Sequence, residues 1–170
     1  DGLISDNKNQ NLWIYTADCM PILFADKFHR RVAAIHCGRK GLEKNIISKA
    51  IKSFEIMGSS RKDILVSIGP SISGDNYFLD KKTFYNFFSA NNEYLRRLYE
   101  NINIINNKEE LTSIPLDIKK CAYLQLLMEN LHPNNIEISN RCTFSIPHEF
   151  HSWRRSKNDK RQWNVICTSI

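Results

Sequence analysis

The sequence predicts a single α+β domain, on three observations. First, 170 residues with 42% apolar and 25% charged side chains match one soluble domain that can bury a core without disulfides. Second, several short β-branched and aromatic runs, separated by turn residues, read as strands. Third, the stretches with helical apolar spacing fall among these runs in no regular order. A doubly wound sheet, which needs clean βαβ repeats, is therefore not the first expectation.

The elements follow in order. Asn11–Thr16 is a strand. Positions 17–21 interrupt it, because Pro21 restricts Met20 and cannot donate to a ladder, which predicts a turn or bulge there. Positions 22–26 and 31–36 are strands joined by a hairpin turn over 26–31. Apolar residues at 42, 46, 47, 50, 51 and 54 predict one helix over 41–54. Positions 63–68 form a strand that runs into Gly69-Pro70, and the following loop turns at Gly74-Asp75-Asn76. Asp80 is placed to cap a helix over Lys81–Ala90. The Asn-rich stretches 94–99 and 101–110 read as surface. Positions 117–131 form the clearest helix, stopped by His132-Pro133, and 136–139 and 163–167 are the last strands. No repeat, linker or second domain is visible.

The net charge is +6 and the pI about 9.1, but Lys and Arg are spread along the chain, densest at 154–161. Such a distribution reads first as a solvated surface. No run approaches the roughly 18–20 apolar residues that span a bilayer. The chain opens without Met and without a signal pattern, so it is expected to be the C-terminal two-thirds of a longer protein, cytoplasmic, with reduced thiols. Its five cysteines, 19, 37, 121, 142 and 167, contain no CxxC pair.

Cys19 and His36 stand out. Each ends a short apolar run beside a Pro or Gly interruption, where side chains leave the core and meet a cleft. Thiolate and imidazole are zinc or copper ligands, and equally the parts of a Cys–His nucleophilic pair. Read singly, each is also an ordinary buried residue. Asp18 is either a partner orienting an imidazole or a turn residue, the turn being favoured. Arg154 and Arg155 offer planar forks suited to phosphate, and Trp153 reads first as core. Gly69-Pro70-Ser71-Ile72 could present backbone N–H groups to an anion, although it is not a P-loop.

These residues fall into ordered motifs. Thr16-Ala17-Asp18-Cys19-Met20-Pro21-Ile22-Leu23-Phe24-Ala25-Asp26 resembles the TADCxPxLxAD signature of the multicopper polyphenol oxidase (laccase-like) family, the YfiH-type purine nucleoside phosphorylases. Val32 to Gly41 resembles its VAAxHAGWRG segment, Ile68 to Tyr77 its xGPxIGPxCY loop, and Arg141-Cys142-Thr143-Phe144 with Phe150-His151-Ser152-Trp153-Arg154-Arg155 its CTxxxxxxFxSYRR ending.

The resemblance implies a four-layer α/β/β/α sandwich with mixed sheets. It implies a zinc or copper ion held by one Cys and two His, with Cys19 and His36 as two ligands and the third a His upstream of Asp1. It implies phosphorolysis of adenosine, inosine and methylthioadenosine, with adenosine deamination as a second reaction; older naming implies copper-dependent phenol oxidation. Cys19 and His36 become the catalytic residues, and Lys40, Arg154 and Arg155 the substrate- and phosphate-binding ones. The partners expected are a purine nucleoside and phosphate, with no nucleic acid, no membrane, and a monomer or homodimer. The chain departs from the motifs at several positions that bear on the pocket. Arg39 and Lys40 replace Trp and Arg, Asn76 replaces Cys, and Trp153 replaces Tyr. The ligand positions persist while the pocket around them changes. A Cys–His hydrolase and a weakly active metal- or nucleotide-binding protein are the alternatives.

Overall fold

The structure, a computed structural model, describes residues 1–90 and 112–168. Among the described residues, nine strands and five α-helices follow in order: β1 (Gly2–Ser5), β2 (Asn11–Thr16), β3 (Met20–Asp26), β4 (Val32–Cys37), α1 (Arg39–Glu43), α2 (Ile46–Ile56), β5 (Ile64–Ile68), β6 (Phe78–Asp80), α3 (Lys81–Ala90), β7 (Ser113–Pro115), α4 (Ile118–Met128), β8 (Ile136–Ile138), α5 (Trp153–Ser156) and β9 (Gln162–Cys167). The expected surface stretches 94–99 and 101–110 lie outside the described residues.

The main sheet has the order β1-β4-β3-β5-β8. It is mixed: β1, β4, β3 and β5 pair antiparallel, and β8 joins β5 in parallel. The α+β class with a mixed sheet is thus observed. β4 is apolar along nearly its whole length because it is covered on both faces. Ala33, Ile35 and Cys37 join the larger core under the helices, with Ile47, Ile51 and Phe54 of α2 and Leu124 and Leu126 of α4. Val32 and Ala34 point the other way, onto Leu12 and Ile14 of an antiparallel β2–β9 ribbon. Among the described residues, helix, sheet and ribbon give layers in the order α, β, β, three of the four expected in the α/β/β/α sandwich. The ribbon's outer face exposes Trp13, Tyr15 and Trp163, whose rings meet edge to face.

Several expectations are corrected. The single helix over 41–54 is two helices, because Asn45 takes a left-handed φ of 54° and breaks the hydrogen-bond ladder between α1 and α2. Apolar spacing runs across that break and hides it. Pro21 is no bulge but lies within β3, opposite His36. Its carbonyl accepts from Gly69 N at 2.9 Å, so the missing N–H faces the side where the β5 ladder, whose last pair is Ile22 with Ile68, has already ended. Strands β1, β6 and β7 and helix α5 were not expected at all. α4 ends at Met128, short of 131, where Asn130 turns left-handed. Asp80 does serve α3, accepting from Thr83 N at 2.8 Å.

Candidate functional site

The β2–β3 turn and the β4–α1 junction meet at one end of the sheet. Between them lies an open cavity of about 690 Å³ lined by Asp1, Cys19, His36, Arg39, Lys40 and Tyr77, among others. That size falls in the range of small-molecule sites. Three of the five predicted site residues, Cys19, His36 and Lys40, are brought together here.

Local backbone explains the placement of Cys19. Asp18 sits at φ 85°, a conformation that Asp tolerates better than most side chains, and this turn aims Cys19 at the start of α1. Gly38, the last residue before α1, leaves no room for anything larger, since a Cβ there would overlap Cys19 Sγ. Burial pushes the Cys19 thiol up, and the neighbouring Asp18 carboxylate adds to this. Burial pushes the His36 imidazole down, and the Arg161 charge adds to this. This favours the neutral imidazole, the form that binds a metal. Cys19 is held as a thiol until a cation draws off its proton.

A catalytic zinc takes three protein ligands and keeps one position open. Cys19 and His36 fit two of those ligand positions in chemistry and location. Among the described residues, no group of three or more His, Cys, Asp or Glu side chains is assembled. Asp1 enters beside the pair, its carbonyl accepting from His36 N at 2.8 Å.

Asp18 does more than turn the chain. Its buried carboxylate accepts from Thr143 Oγ1 at 2.7 Å, Ser152 Oγ at 3.0 Å and Arg154 N at 2.7 Å. One side chain thus ties the Cys19 turn to two distant segments. Ser152 in turn caps α5, its Oγ accepting from Arg155 N at 3.2 Å.

The two arginines part company. The Arg154 guanidinium lies over the Tyr77 ring, 4.8 Å from its centroid, and donates to Phe78 O at 3.3 Å. It stands behind a ring that lines the cavity. Arg155, expected at phosphate, holds backbone carbonyls. It donates to the carbonyls of Thr143, Phe144 and Phe150 at 2.7–2.8 Å, locking the 143–150 loop against α5. Trp153 is not core but about half exposed, with Lys157 Nζ 3.7 Å from its ring centroid. The Gly69-Pro70 loop is not an anion nest, for Gly69 N and Ile72 N donate to the carbonyls of Pro21 and Asp18.

Tyr77, Gly38 and Asp18's anchoring role escaped the sequence reading. Tyr77 is half-buried, and burial pushes its phenol up against the opposing pull of Arg39, which hydrogen-bonds it. Arg39 also pairs with Glu43 one helical turn away.

Comparison with known proteins places this arrangement. The sequence profile described as "Multi-copper polyphenol oxidoreductase laccase" matches residues 1–169. Purine nucleoside phosphorylase slr1573 of Synechocystis is 32% identical over 99% of this chain and 67% of its own length. Purine nucleoside phosphorylase YlmD of Bacillus subtilis is 33% identical over 92% of this chain and 54% of its own length. Among solved structures, YlmD from Geobacillus stearothermophilus superposes with a TM-score of 0.83 at 26% identity, covering 100% of this chain and 61% of that one. The Bacillus licheniformis hypothetical protein YfiH gives 0.76 at 25% identity, covering 97% and 60%. The chain thus spans about half to two-thirds of the length of these relatives. No helix among the described residues is long and apolar enough to cross a membrane. With the ordered motifs, the cavity at the end of the sheet and the match over nearly its whole length, the chain belongs to the multi-copper polyphenol oxidoreductase laccase family.

Proposed function

We propose that the protein containing this chain is a metal-dependent purine nucleoside phosphorylase. It converts adenosine, inosine or methylthioadenosine with phosphate to the free base and a ribose 1-phosphate. The observation that carries the reading is the convergence of Cys19, His36, Lys40 and Tyr77 on one cavity, in a chain whose relatives over 91–99% of its length are named for this activity. Cys19 and His36 would hold a zinc or copper ion as two of its protein ligands. The third would come from outside the described residues; Asp1 lies beside His36, its carbonyl accepting from His36 N. Bound there, the ion would supply Lewis acidity toward the substrate, the chemistry that adenosine deamination also needs.

The chain's own residues suit the transfer. The C1′–N9 bond breaks with its electron pair leaving on the purine, and a C1′–O bond forms to phosphate. The proton of hydrogenphosphate ends on the purine nitrogen. Lys40 offers the phosphate a mobile cation. Tyr77, backed by Arg154, gives the base an aromatic wall. Arg155 keeps the loop behind that wall in place, with three of its five N–H donors given to carbonyls. A metal-free Cys–His hydrolase fits less well, because burial disfavours both the Cys19 thiolate and the His36 imidazolium that such a pair needs.

The test is product analysis with the full-length metallated protein, adenosine and phosphate. Ribose 1-phosphate and adenine in equal amounts are expected. Their absence, under conditions where metal is bound, overturns the reading. Oxygen uptake with a phenol in their place would instead support copper oxidation.

A further inference from the structure

An ion pair stands in the cavity wall. Arg39 lines the cavity, and its guanidinium donates to a carboxylate oxygen of Glu43, one turn further along α1. The two side chains are 21% and 23% exposed, so the pair has given up most of its water. Such a pair is favourable only when its remaining donors and acceptors also find partners. Here they do not. Of the five N–H groups of Arg39, one serves Glu43 and one serves Tyr77. Of the Glu43 carboxylate, one oxygen is held by Arg39. Among the described residues the other makes no hydrogen bond or ion pair. Free donors and a free acceptor are left side by side.

Tyr77 sets where they lie. Arg154 takes one face of its ring, 4.8 Å from the centroid, so a base stacks on the other. Arg39 hydrogen-bonds the phenol, which holds the guanidinium at the hydroxyl end of the ring. A purine in an offset stack on that ring turns an edge toward Arg39, with Glu43 beside it.

A donor next to an acceptor is not neutral toward purines. A 6-oxopurine presents an acceptor at O6 and a donor at N1–H, and so complements Arg39 and Glu43 one for one. A 6-aminopurine presents the reverse. Its amino group meets the Arg39 donors, and its N1 lone pair meets the carboxylate. Arg reads the O6 and N7 of guanine in other settings for the same reason. Arg39 stands where the family motif has Trp, a side chain with a single N–H that cannot hold a carboxylate by charge.

We propose that Arg39 and Glu43 read the edge of the base, so that the protein prefers 6-oxopurine nucleosides, inosine and guanosine, over adenosine. This rests on the purine nucleoside reading above, and the bonds made and broken are those given there.

The test gives the full-length metallated protein phosphate with inosine, guanosine, adenosine or 1-methylinosine in separate assays. Ribose 1-phosphate and the free base are quantified, with adenine separated from hypoxanthine. The kcat/KM for inosine is expected to exceed that for adenosine by at least about 30-fold, the order by which a matched hydrogen-bonding edge wins over a mismatched one. 1-Methylinosine keeps O6 but has no N1–H, and should fall about tenfold below inosine. R39Q/E43Q carries amides that both donate and accept, and should bring the inosine-to-adenosine ratio to about one. Each ratio compares two substrates on one protein, so a loss of folded enzyme does not move it. A wild-type ratio within about threefold of one, or a ratio that R39Q/E43Q leaves unchanged, overturns the inference and leaves the purine reading standing. If that variant does not fold, 1-methylinosine on wild type decides, and turnover equal to that of inosine overturns the inference. Turnover of no nucleoside at all overturns the purine reading and the inference together.

Discussion

Removing the Asp18 carboxylate should loosen three parts of the molecule at once. Its oxygens accept from Thr143 Oγ1, Ser152 Oγ and Arg154 N at 2.7–3.0 Å, and the residue is only 8% exposed. In D18A all three donors lose their charged partner inside the protein. The Ala must also hold a φ of 85°, which costs an L-residue about 1–2 kcal/mol. Breaking a buried charged contact typically costs about 3–5 kcal/mol, and the individual bonds do not add. D18A is therefore expected to lose about 3–5 kcal/mol. D18N separates charge from shape. Its oxygen can still accept from Ser152 and Arg154, and its NH₂ can donate to the Thr143 hydroxyl, which accepts as well as donates. Asn also tolerates the left-handed backbone. Only the charge assistance is lost, so D18N should cost about 1–2 kcal/mol. Urea unfolding with a common slope measures both. A D18A protein within about 1 kcal/mol of wild type, or a D18N protein as weak as D18A, would refute the anchoring role.

Gly38→Ala places a methyl on Cys19 Sγ. It should cost about 1–3 kcal/mol by urea unfolding and lower bound zinc per chain, read by atomic absorption, more than the stability loss explains. Arg155→Lys keeps the charge but cannot reach the three carbonyls its fork now satisfies; a loss of about 1–3 kcal/mol is expected, and unchanged stability would show that the loop needs no clamp. Asp26 governs an acid-side dependence. Burial alone would raise its carboxyl, but hydrogen bonds from Ser59, Phe28 and His29 outweigh this and hold it at about 2, against an ordinary 3.8. With the folded value depressed, the unfolded chain binds more protons between those values, so stability rises with pH there. That contribution is complete above pH 4 and is lost as pH falls toward 2. Asp26→Asn should flatten the stability profile over this window, and an unchanged slope would contradict the assignment.

What the chain shows before folding depends on how local the signal is. Positions 31–36 are apolar because β4 is buried, while Asn11–Thr16 and 63–68 alternate between buried and exposed side chains, and both patterns are written into the sequence. Asp117 announces α4 by capping it, accepting from Lys120 N at 3.0 Å. β1, β6 and β7 have three or four residues each and exist through their partners, which leaves no periodicity to read. The kink at Asn45 is hidden because both helices turn apolar faces to one core. At the site, Cys19 and His36 were visible from their positions beside Pro and Gly. Tyr77, Lys44 and Lys49 reach the cavity from other elements, and only the folded chain brings them together. The structural part of Arg155 was hidden for a related reason. A guanidinium that serves carbonyls and one that serves phosphate look alike until the acceptors are in place.

The central claim is that Cys19 and His36 act as one metal-holding unit in ribosyl transfer to phosphate. The most direct measurement is the rate of ribose 1-phosphate formation from adenosine by full-length wild type, C19A, H36A and the double variant, with metal content determined for each. Residues that work as a unit are non-additive when removed. Each single variant should therefore lose metal and kcat/KM by about as much as the double, at least 100-fold, a loss of about 2.7 kcal/mol of transition-state stabilisation. Single variants that keep wild-type turnover, or two losses that simply multiply in the double, would contradict it.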